Sequence, residues 1–319
     1  RRKPFLVGGL LLLAGSMVAY TFADRYIVVL GLRVLQSLGL AVTFPATLAI
    51  LANRTERDSR GGSMGIFSTF RMSSLAIGPL LGGYIYDTHG IDATFLTGAV
   101  LIVLGMIAVQ LWVREVRSPV GRDQYRCSGI FDCRLLSGPL LPLGFVMFVM
   151  ASSEAMIAPL EQIFNARLDQ SATAFGFAFS ALLFARIVFL IPVGHLSDLI
   201  GRKRLILGGL VLLAVTLVPM GLVTATWQLI TLRSLQGVAT AAIAAPTYAL
   251  VGDLSSSGAE GSHMSIIMLG FGLGVAVGTL AAGILAVVSL ALPFWTFAGV
   301  ALIGTVVVHR SVPETVVQE

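Results

Sequence analysis

Charge is what this sequence has least of. Only 12% of its 319 residues are Asp, Glu, Lys or Arg, about half the share of a soluble domain. Cysteine is nearly missing too, with Cys127 and Cys133 the only two. No further Cys or close His completes a zinc site around them, so they read as free thiols on a reducing side. The histidines, His89, His195, His263 and His309, are scattered without metal-ligand spacing. No phosphate loop occurs, which argues against ATP drive within the chain. No catalytic constellation appears, so an enzyme is not expected. Ten-residue stretches of strict polar–apolar alternation are missing, which excludes a transmembrane β-barrel.

What fills the chain is apolar residues, 56% of the total. They come in blocks long enough to cross a bilayer, which takes about 20 residues. Ten such spans are expected, near 4–22, 26–52, 64–86, 93–113, 139–160, 173–193, 205–223, 228–252, 264–287 and 290–308. The fold class is therefore an all-α membrane protein of ten transmembrane helices.

The few charges carry the topology. Of 21 Lys and Arg residues, 15 lie at the chain ends or in every second connection. They are Arg1, Arg2 and Lys3; Arg54, Arg57 and Arg60; Arg114, Arg117, Arg122, Arg126 and Arg134; Arg202, Lys203 and Arg204; and Arg310. The opposite connections hold only Arg25 and Arg167. The positive-inside rule then puts both ends and the middle loop in the cytoplasm of a multi-pass cell-membrane protein. The pI of 9.6 reflects loops facing anionic headgroups, and no nucleic-acid partner is expected. The expected partners are the lipid bilayer and a small-molecule substrate, and the expected state is a monomer.

Shifted by 200 residues, the chain matches itself. RRKPFLVGGLLLLAGSMV from Arg1 falls on GRKRLILGGLVLLAVTLV from Gly201. RVLQSLGLA from Arg33 falls on RSLQGVATA from Arg233, and GPLLGG from Gly78 on GTLAAG from Gly278. Such a long period marks two parallel half-domains, a recurring transporter design. It also argues that Arg1–Val18 is not a signal peptide. Two spans precede the second copy of the basic segment and none precedes the first. The expectation is that about two helices belong ahead of Arg1.

The connection Gly194–Arg204 reads GHLSDLIGRKR. An acid and three bases so close can pair with each other or with a helix end. Here the sequence resembles the major facilitator superfamily, whose signature G-x-x-x-D-[RK]-x-G-R-[RK]-[RK] matches at Gly194, Asp198, Gly201, Arg202 and Lys203. Leu199 departs from the usual basic residue, and Arg1-Arg2-Lys3 resembles the tail of a first copy. The resemblance implies two six-helix bundles, with helices 3–12 present here. Residues 1–115 are then an incomplete N-terminal bundle (helices 3–6), 116–138 a cytoplasmic central loop, and 139–319 a C-terminal bundle (helices 7–12). It implies alternating access, with Asp198 and the bases after it latching one of the two states.

Three groups are candidates for coupling. Arg33 and Gln36 share a helix face about 10 Å along their span, and Arg233 with Gln236 repeats them. This resembles the R-x-x-Q-G motif linked to proton transfer in the family, with Ser37 in place of Gly and Gly237 keeping it. A snorkelling, structural Arg is the other reading. Gly78, Pro79, Gly82 and Gly83 resemble the G-P-x-x-G-G motif of proton-driven antiporters, and the second copy has Thr279 in place of Pro79. Glu154 in MASSEAMIAPL, Arg71 and Arg186 are membrane-embedded ionisable groups, functional candidates on that ground alone. Glu154 is the expected proton carrier, or a hydrogen-bonded acid facing a cavity; Arg71 and Arg186 are counter-charges or anion sites. Phe70, Phe175, Phe177, Phe179 and Phe184 are candidates to line a greasy cavity.

The expected function is a secondary transporter exporting small amphipathic molecules in exchange for protons. It uses no cofactor beyond the proton gradient. The alternatives are a proton-coupled symporter for a small metabolite and a transport-dead fragment.

Overall fold

A computed structural model describes residues 3–54, 60–113, 140–254 and 260–313. The central segment, with Cys127, Cys133, Arg114, Arg117, Arg122, Arg126 and Arg134, lies outside the described residues, as do Arg1, Arg2 and Arg57. Among the described residues all regular structure is helical. The helices are α1 (Lys3–Tyr20), α2 (Tyr26–Arg54), α3 (Arg60–Trp112), α4 (Leu140–Ala155), α5 (Glu161–Leu168), α6 (Ala172–Ile200), α7 (Arg202–Met220), α8 (Thr226–Leu254), α9 (Glu260–Ala286) and α10 (Ala291–Ser311). A 3-10 turn, Ala158–Leu160, joins α4 to α5. Helix is what a chain without water must form, because each backbone donor then finds its acceptor within the segment. Side-chain hydroxyls are absorbed the same way. Thr43 donates to the Gly39 carbonyl at 2.7 Å and Thr305 to Ala301 at 3.0 Å.

Nine described helices are long and apolar enough to cross a membrane, with Leu140–Leu168 taken as one. Ten spans were expected, and α3 accounts for the difference. Its apolar stretch Ile66–Trp112 has 47 residues, about 70 Å of helix against a hydrocarbon core near 30 Å. Gly90 interrupts it with φ 83° and ψ −178°, a conformation a Cβ would strain. The expected spans 64–86 and 93–113 lie on either side of that residue. Pro79 lies inside the helix, on the N-terminal side of that break.

The chain divides into two compact units, Arg1–Ser74 with Leu81–Arg126, and Leu75–Leu80 with Cys127–Glu319. The sequence duplication is visible as repeated contacts. A Cβ on Gly9 would strike Gly39 and Thr43 of α2, and one on Gly209 would strike Ala239 and Ile243 of α8. Lys3 donates to the Gln110 carbonyl at 2.8 Å, and Lys203 to the His309 carbonyl at 2.9 Å. In each copy a lysine at a helix start thus satisfies a carbonyl at the end of another helix, where positive charge is favoured.

In the second unit α4 runs against α9 with backbones in contact. Gly270, Gly274 and Gly278, one turn apart, face the backbones of Gly144, Phe148 and Ser152. Gly270, Gly274 and Gly278 are therefore packing residues, as small residues are between membrane helices. Around this seam the buried core gathers Met147, Met150, Phe164, Leu210 and Phe294. By the 200-residue shift, α4 has no counterpart in residues 1–112. In the first unit, a cavity of about 1020 Å³ lined by Leu6, Leu10, Thr47, Phe67, Leu101 and Trp112 lies between α1, α2 and the two arms of α3.

Candidate functional site

The polar interior of the second unit is built from three helices. Glu154 lies one residue before the end of α4, and Pro159, which lacks a donor, prevents the helix from continuing unbroken. Arg186 reaches it from α6, with Nη1 donating to Glu154 Oε1 at 2.7 Å. The two side chains are 11% and 16% exposed, so the pair is largely out of solvent. Arg233 of α8 is 1% exposed, and its Nη1 donates to Gln236 Oε1 at 2.8 Å. The same Arg233 guanidinium lies over the Phe179 ring, 5.2 Å from its centre. Gln236 Nε2 donates to the Ser153 carbonyl at 2.9 Å. Residues from α4, α6 and α8 thus share one connected cluster. It joins four of the coupling candidates: Glu154, Arg186, Arg233 and Gln236.

The first-copy candidates stand differently. Arg33 donates to Gln36 at 3.2 Å, as Arg233 does to Gln236, and lies over the Tyr20 ring at 5.6 Å. Tyr20 also donates to Gln36 at 3.4 Å. Yet Arg33 is exposed within its unit. The helices that cover Arg233 are α4 and α6, and neither has a counterpart in residues 1–112. Arg71 is exposed as well, 5.5 Å from the centre of the Phe44 ring. Of the five phenylalanines read as cavity lining, Phe70, Phe177 and Phe184 are exposed, Phe175 is core, and Phe179 seats Arg233.

The family model described as Major Facilitator Superfamily matches residues 1–132 and 143–318. The chain belongs to that superfamily. Its members are transporters rather than enzymes, and the chain is a multi-pass membrane protein. Among curated relatives, the multidrug resistance protein MdtG of Dickeya zeae is 29% identical over 205 residues, covering 62% of this chain and 50% of the relative. The PmrA multidrug efflux pump homologue of Lactococcus lactis is 26% identical over 247 residues, covering 76% and 61%. The chain thus spans about half to three fifths of the length of the curated relatives it matches. Among solved structures, a bacterial homologue of the human lysosomal transporter Spinster, inward-facing and unoccupied, has a TM-score of 0.71 at 15% identity. A POT family transporter in complex with 5-aminolevulinic acid has a TM-score of 0.77 at 12% identity. Each likeness covers 97% of this chain and 81% of the other, and both are likenesses of fold.

Within the superfamily signature, Gly201 separates α6 from α7 at φ 99°. Arg202, at the start of α7, lies 3.6 Å from Asp198 and pairs with Asp253 at the end of α8. Asp253 was not among the sequence candidates. The available signal is an acid at the end of a span that closes on a basic connection; Asn53 stands at the same point of the first copy. Gly194 has open space where a side chain would extend. Pro79 is counted with the second unit, where its carbonyl lies against Gly176 of α6. Gly78 and Gly82 meet nothing within 4 Å.

Proposed function

We propose that this chain belongs to a secondary transporter that exports small amphipathic compounds across a cell membrane in exchange for protons. The observation that carries the reading is the Glu154–Arg186 pair. Charges are costly inside a membrane protein and are kept where they serve a pathway or a relay. A carboxylate paired with an Arg side chain has two forms. It is ionised when Arg186 holds it and neutral when a proton replaces Arg186. Protonation of Glu154 releases the Arg186 charge, so proton binding is tied to a change of partner at this site. The multidrug names of the relatives favour export, and the resemblance at Gly78, Pro79, Gly82 and Gly83 favours exchange over symport. Proton and substrate then occupy the protein in alternation, with the proton gradient as driving force and no bound cofactor.

The test uses the full-length protein in proteoliposomes with a panel of amphipathic substrates. Substrate added to purified, lightly buffered protein should release protons, and a proton gradient should drive substrate the opposite way. Proton uptake on binding, with substrate and protons moving together, would establish the symporter instead.

Asp198, Arg202 and Lys203 serve, on this reading, to hold one state. Arg202 is shared by Asp198 and Asp253, so removing one carboxylate weakens the clasp without emptying it. Asp198→Asn keeps the shape and should leave membrane expression near normal while cutting transport severalfold. Its side chain is 64% exposed, and exposed pairs contribute little to folding. Wild-type transport in that variant would reduce the motif to a topology signal.

A further inference from the structure

The geometry points to Gln236 and Gly237 as positioning residues that set the separation of Glu154 and Arg186. This rests on reading Glu154 as the proton site, and it goes further by assigning what tunes that site. Glu154 and Arg186 stand on different helices, α4 and α6, so their distance depends on a third element. That element is α8. Gln236 holds α4 by donating to the Ser153 carbonyl at 2.9 Å, one residue from Glu154. The adjacent Gly237 holds α6. A methyl group there would overlap the Leu182 carbonyl and the Ala185 side chain, and Ala185 precedes Arg186. Two consecutive residues of α8 thus fix the backbones beside both partners of the ion pair. Arg233 completes the device by holding Gln236 Oε1 at 2.8 Å, which turns the amide donor toward α4. In the first copy Ser37 stands where α8 has Gly237.

The charged surroundings of Glu154 are few. Arg186 comes from α6 and Arg233 from α8. Against α4, α9 from Met264 to Ala286 and α10 from Ala291 to Val308 bring no charged or titratable residue. Glu161 and Arg167 lie on α5, beyond the helix break. Loosening α8's grip therefore changes one dominant interaction, the hold of Arg186 on the carboxylate. A weaker hold makes the ionised form less favoured and protonation easier.

The experiment follows the infrared carboxylic-acid band of Glu154 against pH in purified full-length protein. The band is identified by its loss in Glu154→Gln. In Gln236→Leu, which loses both bonds, and in Gln236→Asn, which is too short to reach Ser153, half-protonation should come at about tenfold lower proton concentration, one pH unit higher. Gly237→Ala should move it the same way by pushing α6 outward. Three variants guard against one failing to fold. A midpoint equal to wild type in the folded variants overturns the assignment, as does a band missing from wild type and variants alike. Transport tells the two readings apart. Wild-type exchange by Glu154→Gln would remove the proton role of Glu154 and leave the band shift measurable. A lost proton dependence in Glu154→Gln with unmoved bands in the α8 variants would remove only the positioning.

Discussion

Glu154→Gln should bring proton-driven export by the full-length protein down to the level of protein-free liposomes, while the protein still inserts in the membrane. Gln keeps an acceptor for Arg186 and loses the charge, so the interaction is weakened and the site no longer exchanges a proton. Removing one partner of a buried ion pair leaves the other uncompensated, at a cost of about 3–5 kcal/mol. The acceptor that the amide retains reduces that loss to roughly 1–3 kcal/mol. Stability and function are then separable. Replacing Arg186 by Gln as well removes the orphaned guanidinium and should restore most of the thermal stability lost in Glu154→Gln. It should not restore coupling. Thermal-shift measurements and gradient-driven uptake on the same preparations check this. Proton-coupled export that survives in the single variant would move the proton site elsewhere in the protein.

Gly274→Leu should prevent the second unit from assembling. Gly274 meets the backbone of Phe148 and the side chain of Ala151, with Gly270 and Gly278 making like contacts one turn to either side. A side chain there has no cavity to enter. It can only push α4 from α9, which breaks the seam along its length and displaces Glu154 at its end. Overpacking ordinarily costs about 1–3 kcal/mol, and a side chain wedged between two backbones falls at or above the upper limit. Gly272, two residues away on the same helix, meets nothing within 4 Å, and Gly272→Leu should be tolerated. Size-exclusion profiles of the solubilised variants give the comparison directly. Equal monodisperse yields from both would mean that the glycine seam is not what holds α4.

The two outcomes differ because one helix presents two unlike faces, and the sequence does not say which is which. MLGFGLGVAVGTLAAG shows glycines at several spacings. Small-residue enrichment marks helix contact, but the choice between Gly272 and Gly274 depends on how α9 is rotated toward α4. The same holds for charge. Arg33 and Arg233 occupy equal positions in the two copies, each with a Gln three residues later. One is exposed within its unit and the other is 1% exposed. Arg233 is covered by α4 and α6, which lie far from it in sequence.

The helical membrane class, the duplication and the superfamily are legible in the sequence alone. These follow from local composition, from the length of apolar runs and from a short signature of glycines and charges, none of which needs a partner to be read. The sequence also named Glu154, Arg186, Arg233 and Gln236 one at a time, because a polar residue in an apolar run is conspicuous alone. Helix packing is what brings these four into one cluster and lets Asp253 share Arg202 with Asp198. Pairing across helices is a matter of rotation and depth. A run that is hydrophobic on every side leaves both unspecified, so the contacts appear only when the backbones are packed.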